Sequence, residues 1–213
     1  MPFEQVNSKV VRAHVSQATP VLSRRGAMLG YDGRVVFRPV HGQGQGVGGM
    51  MGRAFAGESN PMMAAEGQGS VLYGYRGLHV VVIDLKGETL TCEADRLLAH
   101  DASLTTSVEM IAQGGIRQAV RGAVTGQGLF TTKVNGMGSV AVLAHGGAFA
   151  IPVNGQPVGV DPQAYVGHTG NLNVDLQAKV GWRDAVGRGS GEAMQLIVTG
   201  QGTVYVQASE EKF

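Results

Sequence analysis

The sequence predicts an all-β protein, double-stranded β-helix or β-sandwich-like, built from three tandem repeats with at most short helices. Three observations predict it. The first is recurrence. Gly67-Gln68-Gly69-Ser70-Val71 returns as Gly136-Met137-Gly138-Ser139-Val140 and again as Gly200-Gln201-Gly202-Thr203-Val204, and self-similarity at a near-constant period marks a repeat architecture. The second is glycine, 34 of 213 residues, more than twice the usual share of about 7%. These glycines fall between short Val/Leu/Ile runs, where turns need positive φ. The third is alternation. Val71/Tyr73/Tyr75, Val140/Val142/Ala144 and Val204/Val206/Ala208 each place apolar residues on one face of a period-two segment, the pattern of a half-buried strand.

Other elements recur in the same order. An apolar run opens each copy, at Val10–Val15, Val80–Leu85 and Phe149–Val153. In copies two and three it ends at Lys86-Gly87 and Asn154-Gly155, turn dipeptides of which Asn-Gly favours a two-residue hairpin. A twelve-residue block follows: Val21 to Asp32 aligns without gaps to Leu90 to Asp101 and to Val158 to Thr169. Next comes a Gly-rich middle. In copy two, Ile116, Ala119, Val120 and Ala123 follow the i, i+3, i+4, i+7 spacing of a short amphipathic helix. The copies divide at 1–76, 77–145 and 146–213, with no linker between them, and together make one domain spanning 1–213.

Bulk properties narrow the function. The net charge is +1, from 17 Lys+Arg against 16 Asp+Glu, so the basic excess that lets a nucleic-acid binder release counterions is absent, and a nucleic-acid partner is not expected. Cys92 is the one cysteine, which rules out an intramolecular disulfide and a cysteine-based metal cluster. The start of the chain carries no basic-then-apolar secretory pattern, and no apolar run nears the ~20 residues of a membrane-spanning helix. A cytoplasmic protein is expected.

The order Gly-Gly, apolar segment, Gly57-Glu58-Ser59, strand and Gly67-x-Gly69, repeated about threefold, resembles the AIM24 family, also called the domain of unknown function 124, over essentially the whole chain. Copy two has Gly126-Gln127-Gly128 and copy three Gly191-Glu192-Ala193, a departure that argues against chemistry at the glutamate. The resemblance implies three units, each like a subunit of the tryptophan RNA-binding attenuation protein, around a pseudo-threefold axis. Likeness of backbone shape does not carry tryptophan or RNA binding with it. The family's name refers to mitochondrial biogenesis in eukaryotic members, whereas this chain lacks an Arg-rich presequence and its compact Gly-rich form looks bacterial.

Candidate sites are few. Gly44-x-Gly46-x-x-Gly49 matches the dinucleotide fingerprint in letters only, since no βαβ unit surrounds it. Ser190 in Gly189-Ser190-Gly191 lacks the elbow and the base of a nucleophile site. Asp95, Asp101, Asp161 and Glu93 gather in turn blocks that read as solvated. No catalytic residue, cofactor or bound metal is therefore expected. His100 and His168 occupy one repeat position, where copy one has Tyr31, and form the candidate for a shared ligand or metal site at the repeat axis. The candidate interface is the segment from Val47 to Met63, with Met50, Met51, Phe55, Met62 and Met63, because methionine adapts to irregular partners. The expectation is a non-enzymatic structural or interaction (scaffold) protein, homo-oligomeric or bound to another protein. The alternatives are a small-ligand or metal-binding module, or RNA binding by analogy of fold.

Overall fold

Three long strands organise the sheet, and each carries in its middle one of the Gly-x-Gly segments singled out above. The computed structural model describes residues 2–40, 62–110, 130–178 and 194–210. In copy one these form β1 (Phe3–Asn7), β2 (Val10–Val15), β3 (Val21–Arg24), β4 (Met28–Val40) and β5 (Met62–Tyr73). Copy two supplies β6 (His79–Glu93), β7 (Leu97–Asp101), β8 (Thr105–Met110) and β9 (Phe130–Ala144). Copy three supplies β10 (Ala148–Asn154), β11 (Val158–Val160), β12 (Tyr165–Ala178) and β13 (Met194–Gln207). Among the described residues the only helical element is the 3-10 turn Ala94–Arg96 between β6 and β7. The helix expected over Ile116–Ala123 lies outside the described residues.

Every pairing is antiparallel, and the sheet runs β1-β2-β5-β3-β7-β9-β6-β12-β13-β10. The closing strands β5, β9 and β13 are its spines. Along one edge of β5 lie β2 and then β3, and along the other lies β4. Both halves of β6 take the corresponding edge of β9, opposite β7 and β8. In copy three, β10 and β11 share one edge of β13, opposite β12. Residues that align in sequence also pair alike: Tyr31, His100 and His168 face Val71, Val140 and Val204.

Two readings of local sequence are corrected. Lys86-Gly87 and Asn154-Gly155 do not reverse the chain. Both halves of β6 run along the same partner, with a bulge between Lys86 and Thr89, and β10 and β11 both pair with β13. The positive-φ glycines Gly87 (φ 106°) and Gly155 (φ 82°) bulge or kink the strand instead of closing a hairpin. Opposite each interruption the closing strand carries its own positive-φ glycine, Gly67, Gly136 or Gly200. A β-carbon on Gly67 would lie 2.1 Å from the Arg34 carbonyl oxygen, and one on Gly200 2.3 Å from that of Asn171. Steric exclusion therefore requires glycine at both.

The second correction concerns alternation. Residues Ser139 to Ala144 of β9 are all buried, although the pattern predicts one wet face. The reason is that β9 separates two cores. Ala141 and Leu143 join the first, with Val11, Ala13, Val71 and Tyr73 of copy one, while Val140, Val142 and Ala144 join the second, with Leu90, Cys92 and Val134. The second core is closed in turn by Ala148, Val166 and Tyr205 of copy three. A third core gathers Val153, Val160, Tyr165, Leu196, Val198, Val204 and Val206. Thus the back of each following copy covers the core of the one before it. Each fully buried leucine at such a seam, Leu98 and Leu143, contributes on the order of 2 kcal/mol.

Candidate functional site

The chemistry-bearing side chains collect at the two seams between copies. At the first, Val21, Leu22 and Ser23 of β3 pair with Asp101, His100 and Ala99 of β7. At the second, Leu90, Thr91 and Cys92 of β6 pair with Thr169, His168 and Gly167 of β12. The two ladders have one register in aligned residues: Leu22 faces His100 as Thr91 faces His168.

The seams also separate the two histidines. His100 pairs with Val140, which pairs with Ile83, whereas His168 pairs with Thr91. Ile83 and Thr91 lie eight residues apart on β6, roughly 25 Å of extended strand. The shared site at the repeat axis is therefore not assembled, because equivalent positions fall in successive seams. Each imidazole has its own partner. His100 is buried and its Nδ1–H donates to the Asp101 carbonyl at 2.8 Å, since a carbonyl can only accept. Burial pushes its pKa down. The Nδ1 of His168 shares a 2.5 Å hydrogen bond with the Tyr165 hydroxyl. Burial, with the charge of Lys133 adding to it, pushes the His168 pKa down to about 4. In both rings burial favours the neutral form.

An arginine clasps each seam, and sequence reading passed over both. Arg24 reaches from copy one to donate through Nη1 to the Asp95 carbonyl at 2.7 Å, its guanidinium lying 4.1 Å from the centre of the Tyr75 ring. Arg96 has a fully buried side chain. Its Nε donates to Glu93 Oε2 at 2.7 Å, and its Nη1 to Gln207 Oε1 at 2.7 Å and to the Leu143 carbonyl at 3.5 Å. Gln207 Nε2 donates onward to the carbonyls of Gln163 and Ser209. The signal was present: Arg96 aligns with Ala27 and Ala164, one charge at an otherwise alanine position. Cys92 lies in the same neighbourhood, wholly buried, its thiol pushed up to about 12 chiefly by that burial.

Of the methionine-rich candidate interface, Met50, Met51 and Phe55 lie outside the described residues. Met62 packs against the second core, and Met63, half-buried, pairs with Ser23 and Pro39. The apolar surface that the structure does expose is elsewhere. Met28, Leu29, Tyr31 and Val36 all lie exposed on β4, which among the described residues pairs on one side only, with β5. Leu29 and Tyr31, two positions apart at the start of this strand, put large apolar side chains in water beside that edge, which suits contact with another surface. Val36, an odd number of positions from Tyr31, faces the other side of the sheet.

This architecture defines an all-β, single-sheet protein in which successive segments are stapled through buried seams. The chain belongs to the AIM24 family, described as mitochondrial biogenesis AIM24, whose model matches residues 3–209. Among curated proteins none matches it. Among solved structures it is similar to protein SPYM3_0169 from Streptococcus pyogenes, with a TM-score of 0.70 and 21% identity over 97% of this chain and 92% of that one, a likeness of fold.

Proposed function

We propose that the protein is a non-enzymatic, self-associating scaffold of the cytoplasm, whose three sequence copies form one rigid body for assembly with further copies. The observation that carries this reading is the β4 patch. Leu29 is 58% and Tyr31 55% exposed, on a strand with an unpaired edge among the described residues. A sheet edge flanked by apolar side chains is costly to leave in water and is commonly covered by protein. A lone, buried thiol accords with a reducing compartment.

Light scattering on the purified protein tests the reading. The chain is expected to run as an oligomer at micromolar concentration. Leu29→Asp with Tyr31→Asp is expected to yield a monomer with an unchanged β-sheet circular dichroism spectrum. A native protein that stays monomeric up to 100 µM, on the order of a weak binding constant, overturns it.

A further inference from the structure

We infer that copies of this chain join head to tail through a third seam of the kind it forms twice internally: Val158, Gly159 and Val160 of one molecule pair antiparallel with Asp32, Tyr31 and Gly30 of the next. The inference rests on the self-association reading and names its two surfaces. At the internal seams the aligned residues are Val21–Ser23 against Ala99–Asp101, and Leu90–Cys92 against Gly167–Thr169. Among the described residues, copy three offers the first half of such a seam in β11, which pairs there with β13 alone, and copy one offers the second half in β4, which pairs there with β5 alone. Among the described residues, no ladder joins β11 to β4 within the chain.

Burial gives the same answer independently. Leu29 aligns with Leu98 and Val166, which are 0% and 1% exposed at the internal seams, and Tyr31 aligns with His100, which is 1% exposed. The copy-one residues keep an apolar character suited to a seam, yet stand in water. Gly30 has open space where a β-carbon would be, whereas a β-carbon on its counterpart Gly167 would meet the Thr91 carbonyl oxygen at 2.6 Å. The cores agree as well. The back of copy two closes the first core and that of copy three closes the second. The third core keeps a fringe of half-buried Ile151, Val158, Leu172, Val174 and Leu176, and the back of copy one covers no preceding core. A second copy supplies what each end lacks. Because the junction uses different surfaces on its two sides, copies add in one direction, forming a ring where the rotation between them closes and an open filament where it does not.

Paired cysteines test the junction. Directly opposed residues in antiparallel strands have Cα atoms about 4.5–5.5 Å apart, within disulfide reach. A β-carbon on Gly159 meets nothing closer than 3.7 Å. Tyr31→Cys and Gly159→Cys are made in separate, differently tagged full-length chains, co-expressed and oxidised with copper phenanthroline in air. The expected result is a disulfide-linked pair carrying both tags, with none from either variant alone, since Cys92 is buried. Amide exchange on the unmodified protein provides a second readout: the amides at 30–32 and 158–160 are expected to be slow in the oligomer and fast in the Leu29→Asp/Tyr31→Asp monomer. An oligomer with neither cross-link nor protection overturns this junction and leaves self-association standing. A protein monomeric at every concentration overturns both. A doubly substituted Tyr31→Cys/Gly159→Cys chain that closes its disulfide within a monomer overturns the junction alone.

Discussion

Gln207 accepts a 2.7 Å hydrogen bond from the guanidinium of Arg96 across 111 positions of sequence, tying the last strand of copy three to the turn that opens the middle of copy two. The same amide oxygen accepts from the His145 backbone N–H at 3.0 Å. One buried side chain of copy three thus holds both the clasp and the end of copy two. A cation removed from water is tolerated only where its charge is paired and its donors are bonded. Glu93, at 2.7 Å, provides the paired charge.

Arg96→Ala is therefore expected to lower unfolding free energy by about 3–5 kcal/mol, the usual cost of leaving one member of a buried pair alone. Urea denaturation followed by fluorescence measures it. Glu93→Gln combined with Arg96→Met is expected to recover part of the loss, because no bare carboxylate remains at the seam. A loss below about 1 kcal/mol in the single variant would show the clasp to be dispensable.

Gly67→Ala is expected to destabilise more than Gly26→Ala. Both glycines have positive φ, 119° and 80°, so both substitutions carry backbone strain of about 1 kcal/mol or more. Only at Gly67 does the new β-carbon also strike backbone, the Arg34 carbonyl, while Gly26 has nothing within 4 Å. Thermal melts of the two variants give the comparison. Equal melting temperatures would mean that the closing strand relaxes without cost.

The all-β class was legible because alternation and turn glycines are local signals, and the opening runs and closing strands fall where the sequence puts them. The seams were not. That Leu22 faces His100 and Thr91 faces His168 depends on how one copy docks on the next, and no periodicity within a copy encodes it. For the same reason β9 was read with one wet face: Ala141 and Leu143 are apolar, but only a neighbouring copy makes that burial meaningful. His100 and His168, which align in sequence, each pair with a valine of a closing strand and are yet kept apart, since they occupy successive seams and do not meet. Arg96 stood out only against Ala27 and Ala164, a contrast visible once the copies are compared position by position.

Cys92 is expected to resist thiol reagents in the native protein. It has no exposed surface, and its thiol is pushed up to about 12, by burial first and then by the neighbouring Glu93 charge. Thiolate, the reactive form, is then scarce at neutral pH. Labelling with a chromogenic disulfide reagent is expected to be slow in buffer and to reach one thiol per chain in denaturant. Rapid labelling at pH 8 without loss of structure would contradict the closed second seam.

Stability is expected to fall as pH drops from 6.5 toward 4, in part through His168. Its folded pKa is about 4, against an ordinary 6.5, so over that interval the unfolded chain binds a proton that the folded chain refuses. Stability then rises with pH across the window and is fully present above 6.5. At about 1.4 kcal/mol per pH unit the whole gap is worth roughly 3 kcal/mol. His100, whose pKa is also pushed down by burial, acts with the same sign. Lys133 contributes to the His168 shift after desolvation, so Lys133→Met is expected to raise the imidazole pKa modestly, which NMR titration of the ring protons reads directly. His168→Gln removes this titration, and its unfolding free energy should vary less between pH 4 and 6.5 than that of the parent. Parallel pH profiles for parent and His168→Gln would show that the second seam admits a proton without opening.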